Sequence, residues 1–210
     1  MPKLLADIGK KQSDKEAIAA KVARSPEALS EVFEGLSATE ANVKYACAKV
    51  LHVISEKNPC ALYPRFDRFV ELLRDGNKIL QWEAFCIIAN LSCVDSKDKF
   101  EGILDTYFAP IRGPVMITAA NVIKGASTIA VAKPHLTERV VKELLRVEKG
   151  NYQTAECRNV ALGHAIEALD LFFEQIEDRK PVLRLVRRQQ NNTRSATRRK
   201  AERFLRKHHE

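Results

Sequence analysis

The chain has 210 residues, of which 45% are hydrophobic, and a formal net charge of +8. That length suits one elongated domain or at most two compact ones with a buried core. The sequence contains no apolar run of about 20 residues, which argues against a membrane span, and its first residues become charged too early for a secretory signal. We therefore predict a cytoplasmic protein that does not bind membranes.

Helix signals begin near the N-terminus. Ser13 is predicted to cap a short helix, because Glu16 follows three residues later as in a capping box. Ser25 is predicted to cap the next helix, with Pro26 at its first position, where the missing N–H costs least. Thr39 is then predicted to cap a longer helix that runs to about residue 57.

The later elements are predicted from breaks at Pro, Gly and Asn and from apolar residues at helical spacing. We expect pairs of helices at residues 59–74 and 78–93, 96–111 and 114–131, 137–149 and 154–177, and a last pair from residue 178 with its turn at 191–192. No segment shows the alternation of a half-buried strand. The sequence therefore predicts an all-α chain of about ten to twelve helices in hairpin pairs.

A short pattern recurs five times, roughly 35–45 residues apart, which is typical of stacked helical hairpins. Each copy has an apolar residue, a basic or polar one next to it, a small one at +4 and an apolar or small one at +8. The +4 residues are Cys47, Ala84, Ala119, Ala161 and Ala201. Small residues let helix axes approach closely, so we expect these five to be buried. An irregular bundle with accidental alanine spacing is the alternative.

The first copy, Val43-Lys44-Tyr45-Ala46-Cys47-Ala48-Lys49-Val50-Leu51, resembles the second helix of the HEAT-repeat family. Residues 80–84 and 157–161 match that pattern in part, whereas Met116 and Thr197 depart from it. The resemblance implies an armadillo-type solenoid, a right-handed α-α superhelix of about five hairpins. It covers residues 26–207, after an N-terminal capping helix in 1–25 and before a tail at 208–210. The terminal repeat is 178–207.

In HEAT repeats the second helices line the concave surface, and the +2, +6 and +9 positions lie opposite the buried seam. The partner-binding candidates on this stripe are Tyr45, Lys49, His52, Trp82, Asn121, Lys124 and Asn159, and the stripe also contains Ala89, Gly163 and Ile166. It contains no carboxylate, which argues against acid–base hydrolysis, with a lone, partly exposed His as the only candidate base. The Trp is either an anchor for a peptide or base, or packs against the next repeat.

The basic residues concentrate at the C-terminal end. Residues 179–210 hold twelve Lys or Arg and two acids. The candidates for binding a polyanion are Arg194, Arg198, Arg199, Arg203 and Arg206. Arg199, Arg203 and Arg206 continue the +2, +6 and +9 stripe, so we expect them on one exposed side of the last helix, with Ala201 and Leu205 packed inward. The basic residues are open to three interpretations: a polar cap of the last repeat, a nucleic-acid contact or a dock for an acidic protein. We interpret Glu156, Glu167 and Asp170 on the preceding helix as a solvated face.

No phosphate-binding loop, dinucleotide loop, nucleophile elbow or zinc-protease motif occurs, and the five cysteines lack metal-ligand spacing. We expect no enzyme, no cofactor and no metal, but a non-enzymatic scaffold for a macromolecular partner, preferably a protein. One alternative is a nucleic-acid-binding protein, including HEAT-like-repeat DNA glycosylases, which the resemblance associates with aromatic residues and an aspartate. The other alternative is a structural subunit, in which the contact surface between repeats continues into a second protein chain.

Overall fold

A computed structural model describes residues 2–209, and this part of the chain is helical, with no β-strand. The predicted all-α class is therefore confirmed. Internal contacts divide the chain into two compact units, one ending at Gly102 and one beginning at Ile103. Across residues 2–209, every helix is too short or too polar to cross a bilayer. The predicted N-terminal and tail segments include Met1 and Glu210, which lie outside the described residues.

The first unit is built from short helical hairpins around one long helix. Its helices are α1 (Lys3–Ile8), α2 (Lys15–Val22), α3 (Pro26–Gly35), α4 (Ala41–Lys57), α5 (Pro59–Leu62), α6 (Phe66–Leu72) and α7 (Lys78–Leu91). Helix α4 packs against α2, α3 and α7, and α7 packs against α6. In each hairpin we call α3 and α6 first helices and α4 and α7 second helices. The two second helices are direct neighbours.

The caps of the first unit partly match the predictions. Ser25 accepts a hydrogen bond from the Ala28 N–H at 3.1 Å, as predicted. Asp14, rather than Ser13, caps α2, because its carboxylate accepts from two backbone N–H groups at 3.0 Å. Helix α4 begins after Glu40, whose side chain makes no cap hydrogen bond, so the predicted Thr39 cap is wrong. These differences move a helix start by one residue and leave the pairing of helices unchanged.

The second unit repeats the hairpin arrangement with longer second helices. Its helices are α8 (Leu104–Phe108), α9 (Met116–Ala132), α10 (Thr137–Leu145), α11 (Ala155–Leu171), α12 (Lys180–Gln189) and α13 (Ser195–Lys207). Helix α11 packs against α9 on one side and α13 on the other. Helices α8, α10 and α12 are the first helices here, and α9, α11 and α13 are the second helices. Three neighbouring second helices therefore form one layer of this unit.

The predicted helix over residues 96–111 is wrong for its first half. Asp95 follows α7, and its carboxylate accepts from the backbone N–H groups of Lys99 at 2.9 Å and Phe100 at 3.0 Å. These bonds stabilise a loop, because a side-chain acceptor satisfies N–H groups that a helix would otherwise pair internally. The predicted helix over 154–177 also ends early: α11 stops at Leu171, and a 3₁₀ turn follows at Phe173–Gln175.

The small residues of the recurring pattern lie where two helices meet. All five predicted +4 residues are fully buried. At one of these approaches, a Cβ added to Gly35 in α3 would lie 2.5 Å from the Cys47 Sγ in α4, so only glycine fits. Burial also raises the pKa of the Cys47 thiol to about 11, which keeps it protonated and inert near neutral pH. The pattern thus marks the close helix contacts.

Candidate partner-binding groove

A groove of about 340 Å³ runs between the second helices α9 and α11 of the second unit. Its apolar part is formed by Ala120, Ile123, Ala168 and Leu171. Leu171, the last residue of α11, is 70% exposed and is the most exposed large apolar side chain described. The groove exists because alanines on both helices are too short to fill the space between the helix axes. It therefore offers apolar surface that no part of this unit covers.

The polar rim of the groove contains two of the residues predicted from the stripe. Lys124 is exposed, and its ammonium has no ion-pair or hydrogen-bond partner within residues 2–209. Asn121 donates to the Ile117 carbonyl one turn earlier at 3.0 Å. Ser127 also lines the rim and donates to the Lys124 carbonyl at 2.9 Å. The lysine ammonium is thus the free charge on the α9 side.

The α11 side of the groove carries His164 and Glu167, which lie 3.8 Å apart. Burial lowers the pKa of His164, and the nearby Lys200 ammonium lowers it further, against the opposing effect of Glu167. Lys200 also pairs with Glu167 at 2.8 Å, and Arg203 lies 3.4 Å from the same carboxylate. The imidazole is therefore neutral near neutral pH, and the one carboxylate among the described lining residues is already compensated.

Acidic residues along α11 pair with basic residues in α13 and at its two ends, so the predicted face is solvent-accessible, as its 58% exposed Glu156 shows, but it is also a contact with the terminal helix. Glu156 pairs with Arg194, and Glu167 pairs as described above. Asp170 accepts from Lys207 at 2.9 Å and from the His208 ring at 2.7 Å. The acids on α11 thus hold the terminal helix in place and compensate part of its positive charge. Sequence reasoning missed this role because the two helices lie almost 40 residues apart in the chain.

The predicted polyanion residues consequently fall into two groups. Arg194 is held by its ion pair, and the Arg198 guanidinium donates to the carbonyls of Asn192 at 2.8 Å and Thr193 at 3.2 Å. Arg199 and Arg206 are exposed and, among the described residues, have no partner, and Arg203 is exposed beside its carboxylate. Ala201 and Leu205 are buried on the other side of α13. The expected exposed stripe therefore exists, but only two of its arginines are uncompensated.

In the first unit, His52 is not the lone, partly exposed histidine that the sequence predicts. It is 8% exposed, its Nδ1 is hydrogen-bonded to the Glu83 carboxylate from α7, and its Nε2 lies 3.3 Å from Glu56. The prediction failed because it considered α4 alone, while the partner carboxylate comes from the neighbouring helix. His52 is therefore part of the contact between α4 and α7.

The other candidates of the stripe differ in their exposure. Lys49 is exposed and without a partner in the described chain, and Trp82 is half-buried. The Tyr45 hydroxyl accepts from the Asn77 amide at 3.2 Å. The Asn159 amide donates to the Thr193 hydroxyl at 2.9 Å and accepts from Asn192 at 3.1 Å, which ties α11 to the last turn. Ala89, Gly163 and Ile166, also on the stripe, are buried.

The open side of α11 is rotated by about 100° from the predicted stripe, given about 100° per residue in an α-helix. Its exposed or half-exposed residues are Val160, His164, Glu167 and Leu171. Their i, i+4, i+7, i+11 spacing is the signal that could have found them. The sequence did not show which arc is open, because α9 and α13 cover α11 from both sides.

One cluster in the first unit has ligand atoms spaced as in a cation site. Asp95, Asp98 and Glu101 each offer one carboxylate oxygen, and these oxygens all lie within 4.8 Å of one another. Asp95 is buried and also accepts from the Tyr63 hydroxyl at 2.6 Å, in addition to its two backbone donors. Its carboxylate is therefore already used to fold the loop.

The fold is similar to the crystal structure of an engineered protein from the Northeast Structural Genomics Consortium. The TM-score is 0.53 at 15% sequence identity, over 98% of this chain and 96% of that chain. At this identity the likeness concerns the fold alone. No family model matches the chain, and no curated protein matches it.

Proposed function

We propose that this chain is a non-enzymatic binding scaffold of the HEAT-like, armadillo-type class, and that it holds a protein partner in the α9–α11 groove. The observation that carries the proposal is the open apolar surface between two second helices. Recurring hairpins with small residues at their contacts support the HEAT-like, superhelical arrangement. A surface of this kind suits an extended peptide or a short helix that inserts apolar side chains.

The charges around the groove favour a partner segment that is both apolar and acidic. Glu167 is compensated by Lys200 and Arg203, while Lys124 has no partner within residues 2–209. A carboxylate of the partner would meet this free ammonium while an apolar side chain covers Leu171 and the alanine floor. Complementary charge of this kind contributes mostly to specificity and association rate.

A DNA glycosylase receives no support from this groove. The resemblance associates that activity with aromatic residues and an aspartate near the base, and neither type occurs among the described residues that line the groove. The groove's one titratable carboxylate among the described lining residues, Glu167, is already paired with Lys200 and Arg203 of α13.

The test uses peptide display against the purified full chain, followed by affinity measurement of the enriched peptides. We expect the enriched peptides to combine apolar residues with Asp or Glu. Lys124→Glu should weaken their binding by about tenfold or more, because it places like charges opposite each other. Lys49→Glu is the matched control, since Lys49 is also exposed, unpaired in the described chain and on a second helix.

The outcomes discriminate between surfaces. Equal affinities for wild type and Lys124→Glu would contradict the groove as the binding site. If Lys49→Glu weakens peptide binding instead, the binding surface lies in the first unit. Thermal melts of both variants should match the parent, because an exposed charge contributes little stability.

A further inference from the structure

A second groove lies between the first helices α10 and α12, and cations dominate its lining. Its volume is about 380 Å³, and it includes the 3₁₀ segment Arg146–Lys149 that continues α10. The cationic side chains that line it are Lys142, Arg146, Lys149, Arg184 and Arg188. Only Lys142, Arg146 and Lys149 lie outside the basic C-terminal segment, and none of the five belongs to the arginine stripe of α13. The groove is thus a basic surface separate from that stripe.

Two of its guanidinium groups are fixed by carboxylates. Arg146 donates to both oxygens of Glu143 at 2.8 and 2.7 Å, and Glu143 is buried. Arg188 donates to both oxygens of Glu148 at 2.9 and 2.7 Å. These hydrogen bonds raise the pKa of Arg188 and hold both planar groups at the groove. Each carboxylate fixes the orientation of its guanidinium and neutralises one positive charge.

The other three cations are uncompensated. Within residues 2–209, Lys142, Lys149 and Arg184 have no ion-pair or hydrogen-bond partner. Lys142, Arg146 and Lys149 are four and three residues apart on α10 and its extension, which spaces their backbone positions by about 6 Å along the helix axis. Arg184 and Arg188 have the same spacing on α12. Cations from α10 with its extension and from α12 therefore border one groove, with a surplus of positive charge.

We propose that this groove binds the phosphate backbone of a nucleic-acid duplex. A row of cations matches a row of phosphates, and the guanidinium of Arg184, which has no partner within residues 2–209, can bind a phosphate bidentately. The contacts would be sequence-independent, because groups that reach only phosphates carry no base information. The proposal concerns a different face of the unit from the α9–α11 groove and does not depend on it.

The apolar lining favours a duplex over a single strand or a membrane. No Phe, Tyr or Trp occurs among the described residues that line the groove, so unpaired bases have no stacking surface. Its apolar members are Leu145, Pro181 and Leu185; Leu185 is fully buried and the other two are half-buried. A membrane-binding surface would present exposed apolar side chains for insertion between lipids. The groove offers charge at its surface and apolar atoms only beneath it.

The experiment measures binding of a fluorescent DNA duplex of about 20 base pairs to the full chain by anisotropy, at about 50 mM salt and upward. The groove variant combines Lys142→Ser, Lys149→Ser and Arg184→Ser. It should bind at least about tenfold more weakly, and its salt slope should fall by up to about three, one for each lost phosphate contact. The charge-matched control combines Lys11→Ser, Lys21→Ser and Lys97→Ser, all exposed in the first unit, and should bind within about twofold of wild type.

Each contrary result overturns the proposal. The first such result is that the wild-type protein does not bind the duplex. The second is that the matched control loses as much affinity as the groove variant. The third is that only a variant with Arg199→Ser and Arg206→Ser loses affinity. Tighter binding to the corresponding single strand, to poly-glutamate or to phosphatidylserine vesicles would assign the groove to that partner instead. Circular dichroism and thermal melts of the groove variant exclude misfolding as the cause, since the three side chains are exposed and unpaired in the described chain.

Discussion

The two units differ in how the contact between neighbouring second helices is filled. In the first unit, hydrogen-bonded polar pairs close the contact between α4 and α7: Tyr45 with Asn77, His52 with Glu83 and Ser55 with Asn90. In the second unit, alanines between α9 and α11 leave a groove of about 340 Å³. In this protein, longer polar side chains fill one contact between second helices, whereas alanines leave the other contact open.

The largest expected effect tests whether each unit contains the predicted buried contact between its helices. Ala84→Leu in the first unit and Ala119→Leu in the second should each lower the free energy of unfolding by roughly 1–3 kcal/mol, because both sites are fully buried and overpacking forces helices apart. The measurement is urea unfolding followed by circular dichroism.

The matched controls are Ala41→Leu and Ala155→Leu, which lie exposed at the first positions of α4 and α11. They should change stability by less than about 0.5 kcal/mol. A unit in which the buried and exposed substitutions give equal midpoints would not contain the predicted seam.

A second, smaller effect is the difference in stability cost between replacing His52 and replacing His164, the histidines of two second helices. His52→Ala should lower the free energy of unfolding by on the order of 1–2 kcal/mol, because it leaves the partly buried Glu83 carboxylate without its hydrogen bond. His164→Ala should change it by less than about 0.5 kcal/mol, since this ring is half-exposed. Urea midpoints of the two variants give the comparison.

A double-mutant cycle sharpens this result. If His52 acts through Glu83, then His52→Ala should cost much less in a Glu83→Ala background than in the wild type. Equal costs in both backgrounds would mean that His52 stabilises the unit by packing alone.

The hairpin pairing could be predicted from sequence because it depends on local signals. Small residues at +4, such as Ala84 and Ala119, mark helix contacts wherever they occur, and Pro or Asn residues mark the breaks between helices. The loop before α8 could not be predicted, because it depends on the Asp95 side chain competing for backbone N–H groups. The 3₁₀ turn at Tyr63–Arg65 also interrupts a predicted helix, at the proline Pro64.

The residues of the candidate site could be predicted only where a single helix determines which of its sides is exposed. Lys124 was found from its stripe, because the exposed side of α9 agrees with the predicted one. His164 and Glu167 were missed, because the open side of α11 depends on which neighbours cover it. The compensation of Arg203 by Glu167 likewise required knowing that α11 and α13 lie side by side. Contacts between helices distant in sequence are the part that periodicity does not encode.

The smallest expected effect concerns the terminal helix, whose charges distinguish the second unit. Burial raises the pKa of Asp170, but the hydrogen bonds and positive charges of Lys207 and His208 outweigh this effect and hold the pKa below its ordinary value. The folded protein therefore binds this proton more weakly than the unfolded chain. The resulting stabilisation is complete above the unfolded pKa and is lost as the pH falls through the lowered folded pKa.

Asp170→Asn removes this titration and should lower the free energy of unfolding by about 1 kcal/mol near neutral pH. The difference from wild type should shrink progressively below about pH 4, where the wild-type carboxylate becomes protonated. Glu177→Gln is the control, because this exposed carboxylate has no side-chain partner within residues 2–209 and should have no comparable effect. Urea unfolding at neutral and acid pH checks both variants. A difference that stays constant down to about pH 3 would show that Asp170 acts by packing, and that the α11 acids do not hold the terminal helix through charge.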